Sequence, residues 1–289
     1  MKKIFKCLIA TLLLVACAKE KEMKKEIEKP INYGSNNGKY LNIRNTKIYY
    51  EEYGKGTPLL LLHQGLGSIE NLAAIIPALS AHFRVIAPDA PGHGRSEQAD
   101  SLSGDLLADY CSDIIDQLKL DSAYVAGWST GGNTALLLAA NRPDKIKKVV
   151  SGASNTKSSG LTEDARAMLK EYTIEAVKED ADWLKHYQSM NPQPDKWIKF
   201  WTDTQKVWAT EIKVPDEKLA RIKVPVLIIR GDRDMIKLTH TIEIFQALKK
   251  GQLCIYPDTG HEMPEEKSEA LSKIIIDFLK NNTTSQPKR

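Results

Sequence analysis

Cysteine is scarce in this chain, four in 289 residues, which excludes a disulfide-built scaffold, and the spacing suits no metal cluster. Charge of one sign is lacking too. Lys and Arg number 41 against 37 Asp and Glu, a net +4, and this gives nucleic acid no electrostatic footprint. The N-terminal apolar run, residues 7–16, is too short to span a bilayer by itself. What is present is ordinary for a globular protein: 42% hydrophobic residues and 7% aromatics, enough for a sizeable core in one large domain or two small ones.

The first residues need separate treatment. Met1 to Lys6 is basic, Cys7 to Ala16 is apolar, and the chain turns charged from Lys19, the layout of a signal peptide. Leu14-Val-Ala-Cys17 resembles a bacterial lipobox. That resemblance implies cleavage before Cys17, lipidation of its thiol, and a membrane-anchored protein of the bacterial cell envelope rather than a spanning one. Loss of residues 1–16 removes three lysines and no acid, leaving a charge of +1. Residues 17–38 read as a solvated tether. Cys111 and Cys254 then remain as free thiols in apolar patterns.

From Tyr40 the pattern alternates. Tyr40 to Arg44 and Lys47 to Tyr53 suggest paired strands, and "PLLLLH", 58–63, a buried one. A helix is expected over 69–80, a strand over 83–88, a helix over 106–119, a strand over 122–127, a helix over 131–141 and a strand over 146–151. The alternation lapses from about 155 to 223, a stretch with four tryptophans that reads as a helical insertion. It resumes with a strand at 224–230, a helix at 238–250, a strand at 252–256 and a helix at 264–280, followed by a polar tail, 282–289. Strands alternating with helices imply a largely parallel α/β sheet.

"AGWSTGG", 126–132, places Ser129 between an expected strand and helix, with Gly127 and Gly131 on either side. The bare G-x-S-x-G pattern arises by chance in roughly one chain in ten of this length, so its context decides. A serine lifted on a strand-to-helix turn meets a helix N-terminus that favours developing negative charge. It still needs a base, and the base needs an acid. His261, on the loop after the last strand, is the candidate base. His82, His186 and His240 lie in helical contexts, while His63 and His93 belong to glycine-bearing loops. Asp234, at the end of the apolar strand "VLIIRG", is the candidate acid, with Asp232 expected to hold the turn.

These residues, in the order Ser129, Asp234, His261, resemble the α/β-hydrolase family over about residues 40–280. "DAPGHGRS", 89–96, resembles that family's D-x-x-G-x-G-x-S loop. The resemblance implies a mostly parallel eight-stranded sheet flanked by helices over residues 39–281, with a helical cap at about 155–223. It also implies an oxyanion hole from the amides of Gly65 and Thr130, although Gln64 replaces the family's usual glycine after His63. Gln64, Trp128 and Trp201 are the substrate-contact candidates. "GWSTGG" is similar to relatives reading G-W-S-D-G-G, but Thr130 stands where they carry aspartate, and this points to an uncharged acyl group. The implied activity is that of a serine hydrolase, a carboxylesterase on small or medium acyl esters, needing no metal or organic cofactor. The alternatives are a peptidase, thioesterase, lactonase or C–C hydrolase with the same triad, or a lipid-anchored ligand-binding protein on an esterase fold. Oligomeric state is not legible.

Overall fold

A computed structural model describes residues 32–34 and 37–281. The expected signal, Cys17, most of the tether and the polar tail lie outside the described residues. The strands are β1 (Lys39–Ile43), β2 (Thr46–Tyr53), β3 (Pro58–Leu62), β4 (Arg84–Pro88), β5 (Ala123–Trp128), β6 (Ile146–Gly152), β7 (Val226–Gly231) and β8 (Gly251–Tyr256). They form one eight-stranded sheet in the order β1-β2-β4-β3-β5-β6-β7-β8. β2 pairs antiparallel with β1 and β4, and every pairing from β4 through β3 to β8 is parallel.

Composition explains this division. β3, β5 and β7 are nearly continuous apolar strings buried on both faces, as parallel strands covered by helices must be. β1 and β2 instead meet at Arg44 and Asn45, both with positive φ (51° and 61°), the turn geometry that matches strand twist in a two-residue hairpin. One face of the sheet packs on the helices Gly104–Gln117 and Thr130–Asn141, through residues such as Cys111, Ile114 and Leu136. The other packs on Ile76–Ser80 and Ser268–Lys280, through Leu79, Leu271 and Ile275.

Two expected helices are divided. The first becomes a 3-10 turn, Ile69–Leu72, and the helix Ile76–Ser80. Pro77 sits in the first turn of the latter, where its missing N–H costs nothing, and so starts a helix rather than continuing one. The last divides at Lys267 (φ −136°) into Met263–Glu266 and Ser268–Lys280. Cys111 is buried, its thiol pushed up to about 12 by desolvation. Cys254 is only partly covered, because β8 is an edge strand.

Between β6 and β7 the chain forms the helices Glu163–Glu171, Ile174–Glu179, Ala181–Met190, Trp197–Ala209 and Asp216–Arg221. Entry and exit are pinned together, since the amides of Lys213 and Val214 both donate to Thr156 O (2.8 and 3.1 Å) and Lys157 bridges to Ile212. Trp183, Tyr187 and Phe200 stack within this layer, and Trp201 meets Trp183 edge-on. Among the described residues, no helix is long and apolar enough to cross a membrane.

Candidate active site

The turn at Ser129 is built by its glycines. Ser129 has φ 52° and ψ −115°, a region that costs a non-glycine residue of the order of 1–3 kcal/mol unless its surroundings enforce it. A Cβ on Gly127 would lie 2.2 Å from Gly131 O, and one on Gly131 would lie 2.5 Å from His63 O. Both glycines are therefore close-approach positions: the first lets the helix Thr130–Asn141 fold back onto β5, and the second lets that helix meet the end of β3. Ser129 N donates to Gly152 O (2.8 Å), which fixes the turn from β6 as well.

Asp234 and His261 meet across the ends of β7 and β8. Asp234 Oδ1 accepts from His261 Nδ1 (2.8 Å) and from Ile236 N (3.0 Å). The acid's side chain is fully buried and the ring is 12% exposed. Burial alone would depress the imidazole, but the hydrogen bond and charge of Asp234, with the charge of Glu262, outweigh it and raise His261 above the usual range. The buried Arg230 guanidinium shapes the acid loop by donating to the carbonyls of Gly231, Asp234 and Ile236. Asp232 Oδ1 accepts from Thr259 N (3.2 Å) and so ties the two loops together. With Nδ1 committed to Asp234, Nε2 is the nitrogen left to serve a serine.

A cavity of about 370 Å³ is lined by Ser129 and His261, by Gly65 and Thr130, and by apolar side chains that include Leu137, Leu161, Leu169, Val207 and Ile236. Gly65 is a third close-approach glycine. A Cβ there would lie 2.9 Å from Trp208 Nε1 and 3.0 Å from Thr130 Oγ1, so the Gly65 and Thr130 segments adjoin at the mouth of the serine turn. Thr130 opens its helix, and its amide belongs to the first turn, where N–H groups lack intrahelical partners.

The remaining expected site residues are placed as follows. Gln64 lines the cavity, donating Nε2 to Glu262 Oε2 (3.1 Å), and its Oε1 is buried without a partner. Trp201, expected at the substrate, is 1% exposed inside the cap cluster and is not among the cavity-lining residues. It stacks on Tyr172 at 5.6 Å and meets Trp183 edge-on. Trp208, seven residues on, reaches the cavity instead. Trp128 is also absent from the lining; it is buried in the sheet core and donates Nε1 to His261 O (2.6 Å). It holds the histidine loop rather than a ligand. Glu262, Asn133 and Asn155 line the cavity without having been singled out as contacts; adjacency to His261 was the available signal for Glu262.

His63 and His93 are scaffold. His63 Nδ1 bonds Gln64 O (2.6 Å) and its Nε2 accepts from Ala90 N (3.0 Å). His93 packs beside it at 5.1 Å, and burial lowers the two to about 4 and about 3 respectively. Asp89 accepts from Ile69 N and Arg95 N, organising the loop that carries His93. Among the described residues, no group of three His, Cys, Asp or Glu is arranged to hold a metal.

Comparison with known proteins agrees with this architecture. Residues 57–182 match the model of the alpha/beta hydrolase fold family. The chain is 27% identical over 267 residues to a 2-hydroxy-6-oxo-6-phenylhexa-2,4-dienoate hydrolase of Burkholderia cepacia, an alignment covering 83% of this chain and 93% of that protein. It superposes on a meta-cleavage product hydrolase from Pseudomonas fluorescens IP01 with a TM-score of 0.71 at 23% identity, covering 84% and 97% of the two chains. A carboxylesterase from Bacillus subtilis superposes at 0.69 with 22% identity, covering 88% and 93%. With the sheet order, the turn at Ser129 and these likenesses together, the chain is a hydrolase with the α/β-hydrolase fold.

Proposed function

We propose that this chain is a serine hydrolase that cleaves small or medium acyl esters through an acyl-enzyme on Ser129. The observation that carries the reading is the convergence of Ser129, on its strained turn, and the Asp234-bonded His261 on one largely apolar cavity. Ser129 Oγ attacks the ester carbonyl and passes its proton to His261 Nε2, while Asp234 stabilises the imidazolium. The amides of Gly65 and Thr130 receive the oxyanion, each worth about 3 kcal/mol in comparable systems. Collapse expels the alkoxide, which takes the proton from His261. A water molecule then gives a proton to the same nitrogen, attacks the acyl carbon and frees the acid and Ser129.

A second reading comes from sequence: the Burkholderia relative is named for a dienoate substrate, and hydrolysis of such a compound uses the same serine-centred apparatus. The carboxylate of Glu262 in the cavity lining opposes an anionic substrate, and for that reason the ester reading is preferred. Lipidation at Cys17 would place the enzyme on a cell-envelope membrane, with a small-molecule ester as its partner and no cofactor. Turnover of an acyl-length series of p-nitrophenyl esters tests the reading: wild type hydrolyses them, and Ser129→Ala loses about 10⁴-fold or more in kcat/KM. Equal turnover by the two proteins would refute it.

A further inference from the structure

Gln64 and Glu262 are 198 residues apart in sequence, yet their side chains bond at the cavity wall that also holds Ser129 and His261. The amide gives one of its two N–H donors to the carboxylate. This leaves Gln64 Oε1, buried and without a partner, beside an acid, so both members of the pair present acceptors. An unsatisfied buried carbonyl costs about 1–3 kcal/mol, and a ligand donor removes that cost. We propose that Gln64 and Glu262 form an acceptor subsite next to the nucleophile, which selects substrates carrying a hydrogen-bond donor or a cation near the scissile carbonyl and rejects those carrying a carboxylate. The inference rests on the ester-hydrolase reading, names its substrate class, and replaces the uncharged acyl group expected from Thr130, because Glu262 supplies a carboxylate at the cavity wall from another loop.

Of the other charged groups in the cavity lining, two are paired with an opposite charge and the third, Lys213, is bonded to neutral oxygens. Asp105 pairs with Lys218, and His261 is bonded to Asp234. Lys213, the lysine that lines this cavity, donates Nζ to Thr210 O (3.0 Å) and Ser158 Oγ (3.4 Å) at the pinned ends of the cap. Desolvation raises the Glu262 carboxyl above its usual range, with the charge of His261 opposing. A carboxylate in that condition gains from a cation and repels a second anion.

The test compares kcat/KM for esters matched in size. Ethyl butyrate, ethyl 4-aminobutyrate and monoethyl succinate vary the acyl end; 3,3-dimethylbutyl butyrate and butyrylcholine vary the alcohol end. Wild type is expected to favour the cationic member over the neutral one by about tenfold in at least one series, and to disfavour the succinate by a similar factor, each factor equal to about 1.4 kcal/mol. Glu262→Gln should bring these ratios to within about threefold, the ratio cancelling any general change in catalysis. Dissociation constants of the same esters on Ser129→Ala protein, with and without Glu262→Gln, give the same order even if no ester is turned over, so failure of the hydrolase reading is separable from failure of the subsite. Ratios that Glu262→Gln leaves unchanged, or a preference for the succinate that Lys213→Met abolishes, would overturn the subsite.

Discussion

At the scale of the residue, the base is the most finely set group. His261 is buried enough to lose protons readily, yet Asp234 and Glu262 hold its imidazole above the usual range. Because the neutral ring must accept the serine proton, activity is lost as the pH falls through this raised value. The acid limb of kcat/KM should therefore lie above the ordinary histidine value of about 6.5. Removing a negative charge lowers the pKa of a neighbouring cation, so Glu262→Gln should move that limb to lower pH, and a pH profile of the two proteins checks the sign. Asp234→Asn should keep the fold but lose about 10⁴-fold in kcat, since an amide no longer fixes the ring tautomer. Trp128 acts at one remove. Trp128→Phe keeps most of the buried ring but loses the bond to His261 O; it should cost about 1 kcal/mol of stability and reduce kcat more than it raises KM, as urea titration and steady-state kinetics would report.

At the scale of the element, the strand-turn-helix unit is held by contacts that permit no Cβ. Gly131→Ala would force a methyl group to within 2.5 Å of His63 O and 2.6 Å of Leu62 O, backbone atoms that cannot rotate away. Displacement of the helix from β3 is expected, with a loss of about 1–3 kcal/mol and a larger fall in kcat than Trp128→Phe gives, because Ser129 and Thr130 move together. A melting curve unchanged from wild type would contradict this account of the glycines. These elements were readable in advance, since long apolar strings and bracketing glycines depend on local sequence. Helix continuity was less readable: the expected helices are divided ahead of Pro77 and at Lys267, whose extended φ interrupts the second. The cap tryptophans were harder still. Trp201 and Trp208 are seven residues apart on one helix, and periodicity places them on similar faces without saying which meets the aromatic cluster and which the cavity.

At the scale of the molecule, two loops of the scaffold couple the site to acid stability. His63 and His93 are buried neutral, with folded-state values of about 4 and about 3, below the value of about 6.5 in an unfolded chain. Their contribution is intact above about pH 6.5 and is lost as the pH falls toward the folded values, because the unfolded chain takes up the protons first. For His63 the full loss is about 3 kcal/mol. The drop in urea midpoint between pH 7 and 4 should be smaller in His63→Gln than in wild type. The order of Ser129, Asp234 and His261 along the chain was legible because each follows its own strand. The Gln64–Glu262 contact was not, because it depends on how the loops after β3 and β8 converge across three intervening strands. Activation of Ser129 is tested by labelling the folded protein with a fluorophosphonate, followed by peptide mass spectrometry. One adduct on Ser129 is expected, absent from Ser129→Ala and strongly slowed in His261→Ala; a folded wild-type protein that stays unmodified while the probe reaches the cavity would contradict an activated serine.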